Sequence, residues 1–147
     1  MIRWFLAGVA VAGAVGWLAA TCHLLGFAPV GLISLVVGAV LGVFLSGLAA
    51  MLRVADDRTL LLGTAIFALV AVILQHAFLY RDFRRQWTEA RMNQPQIALF
   101  RPEEPWSPRE YVAREATPAR VTLWATDAVL VVGAAVGVVS VGMRSRP

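Results

Sequence analysis

Three ionisable side chains lie within otherwise uncharged, apolar stretches of this sequence: His23, His76 and Asp127. Charged groups are costly to place in apolar surroundings, so ionisable residues in such stretches are candidates for a function. An imidazole beside a carboxylate could relay a proton or hold a substrate, and two histidines could bind a haem iron. The simpler interpretation is a polar contact that fastens helices together.

The composition indicates which elements must position these groups. Of the 147 residues, 59% are hydrophobic and 15% are charged, against roughly 45–50% and about 25% in soluble domains. This composition excludes an ordinary soluble globular fold. Residues 4–52 include no Asp, Glu, Lys or Arg, and this stretch is about twice the roughly 20 residues that one helix needs to cross a bilayer. A turn near residues 21–30 divides it into two spans.

We predict an all-α integral membrane protein, a single membrane domain over residues 1–147 with four transmembrane helices. The predicted spans are residues 3–22, 29–52, 59–80 and 118–143. Pro29 suits the first turn of the second helix, and Asp57 is the predicted N-cap of the third. The first span could instead be a cleaved signal peptide, but the sequence around Cys22 matches a cleavage site poorly.

The segment after Tyr80 predicts a helical hairpin outside the membrane, over residues 81–117. No residue after Tyr80 breaks a helix before Pro95, so the third helix should continue at least two turns past its span. An extended connector should follow over residues 94–105. The motif Ser107-Pro108-Arg109-Glu110 has the spacing of a capping box with proline at N1, which predicts a short helix to about Ala116.

The ionisable groups have similar predicted depths. His76 precedes the end of its span by four residues and Asp127 follows Val121 by six, so both lie about 6 to 9 Å inside the boundary. This match permits a contact between the His76 imidazole and the Asp127 carboxylate, with Gln75 and His23 nearby. We predict that Asp127 contacts a polar group of the bundle and that this group is His76.

Small residues recur at helical spacing on three of the spans. Such ridges let helix backbones approach closely, and van der Waals packing of this kind holds membrane helices together. The ridges therefore mark packing surfaces, either within one bundle or between subunits. The predicted packing residues are Gly8 and Gly16 in the first span, Gly38 and Gly42 in the second, and Gly133 and Gly137 in the fourth.

Aromatic residues form a stripe that runs from the third span into the segment beyond it. Phe83 and Trp87 lie past the span and need a partner there, either the short helix or a second protein. Within the hairpin we expect Tyr111 and Val112 to pack against them. The candidate partner-binding residues are Tyr80, Phe83, Trp87 and Tyr111. The aromatic residues near span ends, Trp4, Trp124 and Tyr80, are expected to be interfacial anchors.

Several classes of protein are disfavoured. The single cysteine, Cys22, cannot complete a disulfide or a Cys-based metal or redox motif within the chain. The 13 basic residues, all arginine, do not form a stripe interleaved with exposed aromatics, which disfavours binding of nucleic acid. No complete catalytic motif is present. We expect no enzymatic activity, no metal, no cofactor and no small-molecule substrate that the sequence can identify.

What remains is surface suited to contact: small-residue ridges, an aromatic stripe and a loop rich in both signs of charge. We therefore predict a non-catalytic structural or accessory subunit of a membrane protein complex, or a homo-oligomer, that docks through the extended third helix and the 81–120 loop. Its partners would be the lipid bilayer and other membrane subunits or further copies. The alternatives are a haem- or quinone-binding anchor of a respiratory-type complex and a small transporter or channel component.

The location is predicted from the same residues. We expect a bacterial cytoplasmic membrane. The 81–120 loop holds eight arginines and the other side of the membrane holds five, so the count rule for short loops places this loop in the cytoplasm. The density of arginine along the shorter segments and the basic start of the first helix argue for the reverse.

Overall fold

The computed structural model describes residues 2–26, 31–54, 56–93 and 105–144, and these residues form five α-helices and no strand. The helices are α1 (Ile2–Leu24), α2 (Leu32–Met51), α3 (Asp57–Asn93), α4 (Pro108–Glu115) and α5 (Pro118–Arg144). All except α4 are long and apolar enough to cross a membrane, so the chain fits an integral membrane protein with several spans. The predicted helix start at Pro29 and the predicted connector up to residue 104 lie outside the described residues.

Local sequence signals set the helix ends. The Asp56 carboxylate accepts a hydrogen bond from the backbone N–H of Thr59, with 3.1 Å between N and O, and another from its hydroxyl. Asp56 is therefore the cap of α3, and the prediction of Asp57 was wrong by one residue. These hydrogen bonds hold the pKa of the exposed Asp56 carboxyl below its ordinary value. At the start of α2, Gly31 has a φ of 89°, a conformation that favours glycine.

The third helix is one unbroken element of 37 residues, and it continues past Tyr80 to Asn93 as its sequence predicts. At 1.5 Å per residue it is about 55 Å long, well above the roughly 30 Å of a bilayer's hydrocarbon core. The short helix α4 begins with the predicted capping box. Ser107 Oγ accepts from the Glu110 N–H at 3.4 Å, and Glu110 Oε2 accepts from the Ser107 N–H at 2.8 Å.

The four long helices form a ring of two pairs. The most extensive contacts join α1 to α3 and α2 to α5, and smaller contacts join α1 to α2 and α3 to α5. In the first pair, Gly8 lies against the Phe67 ring and Gly16 against the backbone carbonyl of Ala71. A Cβ added at Gly16 would lie 2.6 Å from that oxygen. The glycines therefore let α3 pack directly on the α1 backbone.

In the second pair, the backbones of α2 and α5 approach each other just as closely. A Cβ on Gly38 would lie 2.4 Å from the carbonyl oxygen of Val131, and one on Gly42 would lie 2.6 Å from that of Ala135. Gly42 follows Gly38 by four residues, and Ala135 follows Val131 by four. The two helices therefore run parallel, and their contacts repeat every four residues. We call this contact the α2–α5 seam, defined by Gly38, Gly42, Val131 and Ala135.

Gly133 and Gly137 of α5 have no part in this packing. A Cβ added to either residue would meet no other described atom within 4 Å. The reason is the rotation of α5, which turns the face of Val131 and Ala135 toward α2 and leaves both glycines on the exposed outer face. The small-residue ridge on α5 is thus separate from the surface that α5 uses in the ring.

Trp4 lies in the core, and its prediction as an interfacial anchor was wrong. Its side chain is 2% exposed and meets the Phe67 ring edge-on, with 5.3 Å between centroids. The indole fits because Gly63 offers no side chain, and a Cβ there would lie 2.5 Å from the Trp4 ring. The indole N–H also donates to the Leu45 carbonyl oxygen at 3.4 Å. Trp4 thereby connects α1 with both α3 and α2.

Two matched glycine substitutions test the α2–α5 seam. Gly38→Ala should lower the free energy of unfolding by about 1–3 kcal/mol, because its Cβ must push the α5 backbone away. Gly137→Ala adds the same methyl group in open space and should leave stability unchanged or slightly raised. Thermal unfolding of both variants in detergent measures the difference. Equal losses in the two variants would contradict this packing.

Candidate functional site

The Asp127 carboxylate is hydrogen-bonded across two helices. Ser34 Oγ on α2 donates to Asp127 Oδ1 on α5, with 2.7 Å between the oxygens, and both side chains are partly buried. Ser34 precedes Gly38 by four residues and Asp127 precedes Val131 by four. The hydrogen bond therefore continues the α2–α5 seam by one helical turn toward the side where α3 extends past Tyr80.

Asp127 therefore contacts a polar group of the bundle, as predicted, but the hydrogen-bond donor is Ser34 instead of His76. The physical reason is again the rotation of α5. Asp127 lies on the helix face that packs against α2, so its carboxylate points to the α2 side chain opposite it. The position of Ser34 was available from the sequence as the next step of the Gly38–Gly42 ridge, four residues earlier.

His76 lies beside this hydrogen bond without joining it. Its half-buried imidazole meets the Trp124 ring edge-on, with 5.2 Å between centroids. Trp124 precedes Asp127 by three residues, so the imidazole lies about one helical turn from the carboxylate along α5. Within the described parts of the chain, neither Gln75 nor His23 forms a side-chain hydrogen bond.

The arrangement has a limited chemistry. Asp127, His76 and His23 can each hold or release a proton, and the Ser34 hydroxyl fixes the orientation of the carboxylate. Among the described residues, no three His, Cys, Asp or Glu side chains converge in a way that could hold a metal ion. The contact that the geometry defines is a polar link between α2 and α5, with the His76 imidazole beside Trp124 about one turn away.

The second notable region is an aromatic cluster between α3 and α4. We use this name for Tyr80, Phe83 and Trp87 of α3 together with Trp106 and Tyr111. Phe83 is central: its ring centroid lies 5.0 Å from that of Tyr111, 5.5 Å from that of Trp106 and 5.7 Å from that of Trp87. The Tyr80 hydroxyl donates to the Trp106 carbonyl oxygen at 2.9 Å. These contacts fix the start of α4 on the α3 surface.

Two contacts of charged side chains also hold α4 in place. The Arg114 guanidinium lies over the Trp106 ring, 4.4 Å from its centroid, in a cation–π contact. Arg120 at the start of α5 forms an ion pair with Glu115 at the end of α4. These contacts attach α4 at both ends, to α3 through Trp106 and to α5 through Glu115.

The candidate partner-binding aromatics thus contact one another within the same chain. Trp87 is only 8% exposed. Val112, which the sequence predicted to pack beside Tyr111, is 52% exposed, so that prediction was wrong. Val112 follows Tyr111 by one residue, about 100° around the helix, which turns it away from α3. Trp106, just before α4, occupies the position in the aromatic cluster that was expected for Val112.

One packing residue, Gly63, is not among those predicted from the sequence. Gly63 makes room for Trp4, and its only signal was that it is the single glycine in α3. No protein-family model, curated protein or solved structure matches this chain. The contacts of the polar link and of the aromatic cluster are therefore the basis for a functional proposal.

A double-mutant cycle tests the polar link. Ser34→Ala and Asp127→Ala should each destabilise the protein, with a coupling energy of about 1 kcal/mol because they remove the same hydrogen bond. Ser140→Ala is the matched control, since Ser140 Oγ donates to Val136 O within α5 itself at 2.8 Å. Its effect should add to that of Asp127→Ala. Unfolding in detergent measures all three, and an additive Ser34 and Asp127 pair would refute the link.

The capping box predicts a pH dependence for the hairpin. Hydrogen bonds from the Ser107 N–H and hydroxyl hold the pKa of Glu110 below its ordinary 4.5. A lowered folded-state pKa stabilises α4 above about pH 4.5, and this contribution is lost as the pH falls through the folded value. The Trp106 indole NMR signal should therefore shift and broaden in acid.

The control for this titration is Glu110→Gln, which keeps the capping hydrogen bonds and removes the ionisable group. In this variant the Trp106 signal should change much less between pH 7 and pH 3. If both proteins respond alike, Glu110 is not the group responsible.

Proposed function

We propose that this protein is a non-catalytic structural or accessory subunit of a membrane assembly, and that it docks through the hairpin of α4 and the part of α3 beyond Tyr80. The observation that carries this proposal is the aromatic cluster. Five rings and the Tyr80 hydrogen bond hold α4 in one position on α3. A surface fixed before binding loses less conformational entropy when a partner binds.

The outer side of α4 supplies the surface for this contact. Arg109, Val112 and Ala113 are exposed there, and we call them the docking surface. The docking surface combines an apolar centre with a positive charge, so the partner would present an apolar contact with an acidic residue beside it. Tyr111, on the opposite side of α4, supports the docking surface from behind.

The outer face of α5 supports a further contact within the membrane. Gly133 and Gly137 are open there, and Val129 and Val141 beside them are 70% and 68% exposed. A helix of a partner subunit, or of another copy, could approach this ridge closely. We propose a bacterial cytoplasmic membrane and, from the count of arginines, a cytoplasmic position for the hairpin.

The proposal is tested by reversing the docking surface while leaving the aromatic cluster intact. The protein extracted from its own membrane should run in native mass spectrometry as a complex of fixed stoichiometry. Arg109→Glu combined with Val112→Glu should release the partner, because it places acidic groups on the contact. Arg58→Glu reverses a charge at the other end of α3 and should leave the complex intact.

The Trp106 NMR signal controls for folding of the hairpin in each of these variants. A wild-type protein that is extracted only as a monomer would contradict the proposal. So would a complex that survives the docking-surface substitutions with an intact hairpin.

A second candidate function is a haem or quinone anchor, which is favoured by the half-buried position of the His76 imidazole against Trp124. The half-buried His76 imidazole could ligate an iron or hydrogen-bond a quinone carbonyl. The absorption spectrum of the protein purified from its own membrane distinguishes this candidate. A Soret band that is lost in His76→Leu would favour it over the accessory role.

A further inference from the structure

A groove lies between the end of α1 and the middle of α3. It has a volume of about 430 Å³ and lies on the opposite side of α3 from the aromatic cluster. Trp17, Thr21 and Leu24 of α1 form one wall, and the α3 wall consists of Phe78, Arg81, Asp82 and Arg85. We call it the α1–α3 groove. It exists because α1 ends at Leu24 while α3 continues past the same level.

The polarity of the α1–α3 groove changes along its length. Trp17 lies seven residues before the end of α1, about 10 Å inside the level of Leu24. Arg81 and Arg85 lie about 1.5 and 7.5 Å beyond Tyr80, the last residue of the uncharged stretch. The headgroup layer of a bilayer is about 5–7 Å thick on each side. The groove is therefore apolar at hydrocarbon depth, and at headgroup depth it carries the guanidiniums of Arg81 and Arg85 with the Asp82 carboxylate between them.

Among the described residues, the ion pairs of the groove involve Arg85 and not Arg81. Asp82 accepts a hydrogen bond from Gln86 at 2.6 Å and forms an ion pair with Arg85 at 3.5 Å. Arg85 also pairs with Glu89 at 3.5 Å. Arg81, by contrast, forms no ion pair with any residue that the structure describes. Its side chain is exposed at the rim, one residue past the uncharged stretch, which is the level expected for lipid phosphates.

We propose that the α1–α3 groove binds an anionic phospholipid, with an acyl chain along Trp17 and Phe78 and the phosphate at Arg81. A free phosphate would use only the cationic end. A zwitterionic lipid would fill the apolar part, but its own ammonium would offset the attraction to Arg81. The anionic phospholipid matches both halves of the groove, because it carries net negative charge at the depth of the guanidinium.

The test uses purified protein in mixed micelles containing equal amounts of phosphatidylglycerol and phosphatidylcholine, analysed by native mass spectrometry. The wild type should retain phosphatidylglycerol in preference. Arg81→Gln should lower this retention about fivefold, since one basic residue near an anionic headgroup contributes about 1 kcal/mol. Arg81→Lys should restore most of it.

The matched control is Arg84→Gln, which removes an equal charge three residues away, on the side of α3 that faces α4. This variant should retain phosphatidylglycerol as the wild type does. Thr21→Trp fills the apolar part of the groove and should lower retention of both lipids, whereas Val43→Trp on the exposed face of α2 should not. Thermal unfolding verifies that each variant is folded, and the Arg81 variants decide the question should Thr21→Trp not fold.

Three results would overturn the proposal. The first is equal retention of the two lipids by the wild type. The second is equal loss of phosphatidylglycerol in Arg81→Gln and Arg84→Gln, which would mean attraction to the whole charged face. The third is complete displacement of the lipid by millimolar inorganic phosphate, which would indicate an ion site that does not require the acyl chain.

Discussion

The close packing of neighbouring helices against four glycines is the constraint on which the rest of this fold depends. Lipid gives apolar helices little reason to associate, so contact must come from dense packing. Gly8 and Gly16 bring α1 onto α3, and Gly38 and Gly42 bring α2 onto α5. Once these two pairs are in place, the ring, the direction of Asp127 and the level at which α1 ends beside α3 all follow.

Much of the secondary structure could be predicted because its signals are local. The absence of charge over a span's length, the capping box at Ser107 and the lack of a helix breaker after Tyr80 each act within a few residues. The helix ends follow these signals closely, and the cap at Asp56 instead of Asp57 is an error of one position. Such rules describe a helix without reference to its neighbours.

The contacts between helices could not be predicted in the same way, because the rotation of a helix depends on all the others. In a membrane the residues that face lipid and those that face helices are both apolar, so polarity does not distinguish them. This is why Trp4 was expected at an interface and lies in the core, and why Asp127 was matched to His76 by depth. The depth of a residue can be counted along the sequence. Identifying Ser34 as the hydrogen-bond partner of Asp127 required the rotation of α5, which sets the direction in which the carboxylate points.

The continuity of α3 gives the protein a mechanical property. The stretch from Leu69, at the middle of the span, to Asn93 is about 36 Å of uninterrupted helix. A tilt of about 10° around that midpoint would move the far end by about 6 Å, more than one helical turn's rise. Because the aromatic cluster fixes α4 on α3, any such tilt would carry α4 along with the helix.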